Sequence, residues 1–349
     1  MIKTIVPAEL NEKKDKLRIM DQTLLPNEEK WLELDDPESI WEAIKMLRVR
    51  GAPAIGIAAA IGLYVCSLRS QAGNVFEFGK EFEKIKDYLA TSRPTAVNLF
   101  WALNRMTDRF HREKNKSIDE IKWALLDEAE KILSEDQAMC RAIGRHGLSL
   151  LKSEMGLLTY CNAGGLATSG LGTALAPIYL GCEKGYNFKV FSCETRPLLQ
   201  GSRLTAYELD KAGVDVTIIC DNMVSQVMKE GKIDAVLVGC DRVAANGDSA
   251  NKIGTSGIAI LAWEYGIPMY ILGPTSTIDL DTPTGADIKI ELRGEDEIGN
   301  SFGRRTAPEG VKAYNPAFDV TDAKYITAII TDRGIVKPPY TKTLMELFG

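Results

Sequence analysis

The chain has 349 residues, of which 45% are hydrophobic and 26% charged, the composition of an ordinary globular protein with length enough for one large or two modest domains. A net charge of −6 excludes a broad nucleic-acid-binding face, although a local basic pocket is compatible with it. Seven cysteines without a CxxC pair or zinc spacing point to reduced thiols in a cytoplasmic protein with no metal site.

The opening MIKTIVPAELNEKKDK has no apolar signal core, and no apolar run is long enough to span a bilayer, so no membrane association is expected. Three short β-like runs, Ile2–Val6, Leu17–Asp21 and Trp31–Leu34, predict a small antiparallel sheet. At Asp36 the pattern turns helical, with Asp36 as N-cap and Pro37 at the first helical position. Further helices are expected over Ala58–Ser67, Val75–Ala90, Ala96–Arg109 and Ile118–Leu151, the last long enough to bridge two domains. His111 and His146, the two histidines, lie in charged helical stretches and read as surface residues rather than a metal pair or a triad base.

Past residue 151 the period changes. Short β-branched runs at Leu157–Cys161, Lys189–Cys193, Val216–Cys220, Ala235–Cys240 and Met269–Leu272 alternate with helix-length stretches, and Tyr325–Thr331 reads as one more strand. That alternation suits βαβ units and a parallel sheet. The expected fold class is therefore α/β, with a small antiparallel sheet plus helices over 1–130 and a Rossmann-like parallel-sheet domain over 131–349.

Within the second region, AVLVGCDRVAANGDSANKIGTSG (Ala235–Gly257) reads as a buried strand ending at an acid, Asp241, then a loop, then Asn251-Lys252 at a helix start. Ligands bind outside the carboxyl ends of strands in open α/β sheets, and a helix start welcomes an anion. The segment thus offers a proton-transfer carboxylate beside a phosphate-sized site; read blandly, it is a βα turn with a capping Asp and a solvated Lys. Cys161 stands at another strand tip, before the Gly-rich turn of TYCNAGGLATSGLGTA. A thiol there is either a substrate contact or, like other strand-end cysteines, a small core residue. The turn lacks GxGxxG, and Arg196 lies two residues beyond Glu194 at the next strand's end, so no dinucleotide cofactor is expected.

Two basic tracts in the helical region share one design. Arg50 precedes Gly51-Ala52-Pro53 and an apolar helix, and Arg93 precedes Pro94 and another. An arginine ahead of a helix start grips phosphate well. With Lys252, the pair points to a phosphorylated small molecule rather than to two surface ion pairs.

RGAPAIG, RPTAVNLFWALNRM, TYCNAGGLATSGLGTAL, ETRPLLQGSRLTAYEL, GCDRVAANGDSANKIGT and YNPAFDVTDAKYITAIIT stand in one order that resembles the methylthioribose-1-phosphate isomerases of methionine salvage, from about Leu17 to Ile335. The wider superfamily includes regulatory subunits of the guanine-nucleotide exchange factor of translation initiation and ribose-1,5-bisphosphate isomerases. The resemblance implies that Asp241 is the catalytic acid and Cys161 its partner at the reacting carbons. It implies that Arg50, Gly51, Ala52, Arg93, Gln200, Asn251 and Lys252 hold the sugar phosphate, and that the protein is a cytoplasmic homodimer without metal or nucleotide cofactor. No site role attaches to the charged segment Gly294–Arg305.

The chemistry fits those residue types. A 1-phosphate blocks the anomeric oxygen, so the ring must open with the phosphate attached and a hydrogen must move from C2 to C1. Protonating the ring oxygen calls for a carboxylic acid kept neutral near pH 7 by an apolar setting, which the VLVG run before Asp241 is expected to provide. Two alternatives keep the fold: 5-deoxyribose 1-phosphate as substrate, and a non-catalytic regulatory subunit binding a sugar phosphate or nucleotide. Retention of both Asp241 and Cys161 argues against the second.

Overall fold

A computed structural model describes residues 4–94 and 96–348. They group into two compact units: a helical unit of 5–138 with the return segment 165–172, and a sheet unit of 139–164 and 173–348 with Thr4.

The helical unit opens with an antiparallel sheet of β1 (Ala8–Leu10), β2 (Leu17–Met20) and β3 (Trp31–Leu34), in that order. The expected strand at Ile2–Val6 is displaced: Thr4–Val6 lie outside any strand, and Ile2 and Lys3 fall outside the described residues. A local turn decides the shift. The Asn11 side-chain carbonyl accepts from the Asp15 and Lys16 N–H groups, so 8–10 folds back on 17–19, with Ala8 opposite Ile19. Helices α1 (Pro37–Lys45), α2 (Ala52–Leu68), α3 (Val75–Ala90), α4 (Val97–Glu113) and α5 (Ile118–Leu148) come next. As expected, Asp36 caps α1, accepting from Ser39 N at 2.8 Å. Helix α2 is the hub, buried from Ala54 to Ser67. Its small residues let neighbours close in: a Cβ on Gly56 would lie 2.9 Å from the Asn98 carbonyl oxygen, at the start of α4.

The sheet unit holds β4 (Gly156–Thr159), α6 (Ala176–Glu183), β5 (Lys189–Cys193), α7 (Ala206–Lys211), β6 (Asp215–Ile219), α8 (Val224–Lys229), β7 (Ala235–Val238), β8 (Arg242–Ala244), β9 (Ser249–Lys252), α9 (Thr255–Glu264), β10 (Met269–Leu272), β11 (Ile278–Asp279), α10 (Asp296–Gly299), β12 (Asn300–Ser301), β13 (Arg304–Arg305), β14 (Phe318–Thr321), β15 (Ala328–Thr331), β16 (Gly334–Val336) and α11 (Tyr340–Phe348). Seven strands form one sheet in the order β6-β5-β4-β7-β10-β15-β16, parallel except for the antiparallel edge β16. The chain enters at β4, steps outward to β6, then returns to β7 on the other side. This is the doubly wound order, with its reversal between β4 and β7. Strands β4, β7, β10 and β15 are buried along their whole length, which is why they read as continuous apolar runs.

A second, four-stranded sheet, ordered β11-β8-β9-β14, corrects one expectation. Asn251 and Lys252 are not at a helix start but on β9, which hairpins back against β8 with Arg242 opposite Ala250. The Asn246-Gly247-Asp248 stretch is the hairpin turn, with Gly247 at φ +90° and Asp248 accepting from the Gly285 and Ala323 N–H groups. Among the described residues, no helix is long and apolar enough to cross a membrane.

A π-helical turn, Gly201–Thr205, leads into α7 and requires its glycine, because a Cβ on Gly201 would lie 1.6 Å from the Cys193 carbonyl oxygen. Gly201→Ala is expected to destabilise the protein by about 1–3 kcal/mol or more through forced backbone displacement, read as a lower urea midpoint with an unchanged slope.

Candidate active site

The reversal of strand order sets the place. Thr159 on β4 is opposite Leu237 on β7, so Cys161 and Asp241 leave the carboxyl ends of adjacent strands at the switch point, where doubly wound sheets bind ligands. The two exits run close together: a Cβ on Gly239 would lie 2.8 Å from Cβ of Ala163.

The hairpin supplies the next residues. Asp241 N–H donates to the Ala250 carbonyl at 2.9 Å, and the β8–β9 register carried one step outward sets Asp241 opposite Asn251. The Asn251 amide donates to Thr255 Oγ1 at 3.1 Å. Lys252 Nζ donates to the Ala317 carbonyl at 3.1 Å and lies 4.8 Å above the centre of the Phe318 ring. On the far side of β9, Asp319 is opposite Asn251. Its carboxylate accepts from Gly254 N, Ser256 N and Ser256 Oγ, at 2.7, 3.1 and 2.9 Å. The start of α9 is therefore occupied by the protein's own anion, and Lys252 lies on a strand rather than at a helix terminus.

A further correction concerns Asp241. The VLVG run is buried, but Asp241 is exposed. Alternation along the exit strand explains it: Cys240 takes the inward position, 3.4 Å from Thr277 Oγ1, and the next side chain is sent outward. Burial pushes the Cys240 thiol up to about 12, and it drives the Cys193 thiol upward as well, which disfavours the reactive thiolate at both.

Cys161 is half-buried, and its backbone is left-handed, at φ +62°. Its N–H donates to Thr195 Oγ1 at 2.8 Å, and its carbonyl accepts from Thr205 Oγ1 at 2.6 Å. Gln200 stands one turn before Thr205, buried, with an amide oxygen that has no hydrogen-bond partner. Such an orphaned acceptor fits a sugar hydroxyl. Sequence reasoning missed Thr195 and Thr205, whose place beside Cys161 is set by tertiary folding alone.

The helical unit carries the other expected residues. Gly51, at φ +93°, precedes α2, and a Cβ there would come within 2.5 Å of the Ala167 backbone in the return segment. Neither α2 nor α4 has a side-chain cap, and the Gly56–Asn98 approach sets their two starts side by side. Arg50 and Arg93 each stand just ahead of one of these starts, half-buried, and Ala52 is exposed at the first turn of α2. Two uncapped helix termini with an arginine apiece suit an anion. The Gly294–Arg305 segment folds as α10 and the β12–β13 hairpin, tied to the Gln200 loop where Arg196 Nη2 donates to the Ile298 carbonyl at 3.2 Å. His146 Nδ1 lies 2.8 Å from the Thr331 carbonyl, and among the described residues no group of three or more His, Cys, Asp or Glu could hold a metal ion.

Fold and site define a mixed α/β protein with a thiol and a carboxylate at the switch point of a doubly wound sheet. The chain belongs to the initiation factor 2 subunit family, whose model matches residues 48–338. It is 76% identical to a 5-deoxyribose 1-phosphate isomerase of Petrotoga mobilis, over 99% of each chain. It is 64% identical to a methylthioribose-1-phosphate isomerase of Symbiobacterium thermophilum, over 100% of this chain and 97% of the relative. The crystal structure of 5-methylthioribose 1-phosphate isomerase from Pyrococcus horikoshii superimposes with a TM-score of 0.96 at 45% identity, covering 99% of this chain and 96% of that one.

The thiols can be told apart directly. With iodoacetamide at pH 8, Cys66 and Cys240, both pushed up to about 12 chiefly by burial, are expected to stay unmodified in the native protein and to react once it is unfolded in urea. Peptide mass spectrometry reads the outcome.

Proposed function

We propose that the protein is an aldose–ketose isomerase that converts 5-methylthio-α-D-ribose 1-phosphate into 5-methylthio-D-ribulose 1-phosphate in methionine salvage. One observation carries the reading: Cys161 and Asp241 leave adjacent strands at the sheet's reversal point, in a chain 64% identical throughout to a protein named for this reaction.

In this reading, Asp241 gives a proton to the ring oxygen, the bond from C1 to that oxygen breaks, and C1 is left electron-poor with its phosphate in place. The hydrogen on C2 then moves to C1 while the C2 hydroxyl gives its proton to the Asp241 carboxylate, restoring the acid, and becomes the ketone. Cys161 either takes the C2 proton, through an enediol-like species, or steadies the transition state of a direct hydride shift. Because Asp241 is exposed in the free protein, it is the bound sugar that would cover it and favour its protonated form. Arg50, Gly51, Ala52, Arg93, Gln200, Asn251 and Lys252 are assigned to holding the substrate, chiefly its phosphate and hydroxyls. The reading carries with it a cytoplasmic homodimer that needs no cofactor.

The 76% identity to a 5-deoxyribose 1-phosphate isomerase supports a second substrate. The two sugars differ only at C5, where an apolar pocket discriminates by about 1–3 kcal/mol, so turnover of both is expected.

Phosphorus and carbon NMR with each sugar phosphate tests the function: a ketone carbon should appear while the phosphate ester survives. Absence of any ketone, with binding still detectable, would favour the regulatory-subunit alternative. Substrate deuterated at C2 separates the two routes, since wash-out of label into water rules out a pure hydride shift. Asp241→Asn should lower kcat by about 10²–10⁴-fold, the usual worth of a general acid, and leave affinity largely intact, whereas Arg93→Ala should mainly weaken binding. Full activity in Asp241→Asn would remove the acid assignment.

A further inference from the structure

Cys161 occupies a backbone conformation that residues with a Cβ avoid. Two threonine hydroxyls pin its peptide groups, one on each side: Thr195 Oγ1 receives its N–H at 2.8 Å, and Thr205 Oγ1 donates to its carbonyl at 2.6 Å. Each hydroxyl's single proton is committed, and each also accepts one bond. That of Thr195 also donates to the Cys193 carbonyl at 3.1 Å, and that of Thr205 also accepts from the Asn162 amide at 3.1 Å. Thr195 is itself left-handed, at φ +65°, and fully buried. The carboxylate of Asp221 holds it there, accepting from Thr195 N at 2.8 Å and Arg196 N at 2.7 Å. Two consecutive constraints, carboxylate on Thr195 and hydroxyl on Cys161, thus maintain two disfavoured conformations that the local sequence does not require. Strain kept up by buried polar groups beside a reacting centre is a device for positioning it.

We infer that Thr195 and Thr205 are positioning residues which, by hydrogen-bonding both peptide groups of Cys161, lock its left-handed turn and so set the direction in which the thiol leaves the end of β4. This rests on the reading of Cys161 as a participant in the isomerisation. Without the pins, Cys161 relaxes to an ordinary conformation and its Cα–Cβ bond swings away. The sugar phosphate still binds, because none of the groups assigned to it has moved.

The test compares Thr195→Val, Thr205→Val and the two Ser variants, with Cys161→Ala as reference and circular dichroism as the check on folding. Each Val variant should lose kcat by about tenfold or more, as small misplacements of reacting groups do, with KM within about twofold of the parent value; each Ser variant, which keeps the hydroxyl, should recover most of the activity. A second readout needs no turnover: the iodoacetamide labelling rate of Cys161, followed by peptide mass spectrometry, should change in the Val variants and return in the Ser variants, with Cys182 as the internal control. Unchanged kcat and labelling in both Val variants, alongside an inactive Cys161→Ala, would overturn the positioning role and leave the proposed function standing. Equal losses in Ser and Val variants would overturn it too, by showing that shape rather than the hydroxyl matters. An active Cys161→Ala would instead sink the role of the thiol in catalysis, and the labelling rates would still decide whether the threonines hold it.

Discussion

A parallel strand buried on both faces has no room for a working side chain except beyond its end. Strands β4, β7, β10 and β15 are all of this kind, so chemistry in the sheet unit is confined to the residues that leave their carboxyl ends. The reversal between β4 and β7 then selects one pair of exits, those of Cys161 and Asp241. The same demand shapes the chain past each exit. The β7 exit folds into the hairpin that returns Asn251 and Lys252 beside Asp241, and the β4 exit takes the left-handed turn at Cys161.

The helical unit obeys a related rule. Helix α2 is enclosed along almost its whole length and can carry no charge in its middle. Its polar business is placed ahead of its first turn, at Arg50, and small residues at Gly51 and Gly56 let the return segment and the start of α4 come within contact distance. Glycine here serves approach rather than flexibility. At Gly51 the positive φ and the crowding against Ala167 make the same demand twice.

The legible parts of the sequence were those governed by local periodicity. The parallel strands, the long helices and the Asp36 cap all come from patterns within a few residues, and the structure has them. What periodicity could not give was the consequence of folding back. Asn251 and Lys252 precede an apolar helical run and so look like its first turn, yet a Gly247 turn and pairing with Phe318–Thr321 make them a strand. Asp241 comes soon after four buried residues and looks destined for burial, but alternation at the strand exit turns Cys240 inward in its place. Thr195 and Thr205 stand in the ETRPLLQGSRLTAYEL motif, but nothing local ties them to Cys161, which is 34 and 44 residues away in the chain. Gln200 likewise looks by local pattern like an ordinary helix-start residue; the family resemblance alone names it in the sequence, and in the structure its buried, unpartnered amide oxygen marks it out.

The segment 165–172 belongs to the helical unit, whereas the chain on either side of it belongs to the sheet unit. Within the helical unit, the Leu166 carbonyl accepts from the Gln22 amide at 2.8 Å, and Ala167 closes the space beside Gly51. A fragment cut after residue 138 would therefore keep every helix of its core up to that point yet lack the segment 165–172 that covers the beginning of α2. Neither unit is a cassette. Each is built from separate stretches of chain, so recombination cannot exchange one of them as a single uninterrupted stretch of gene.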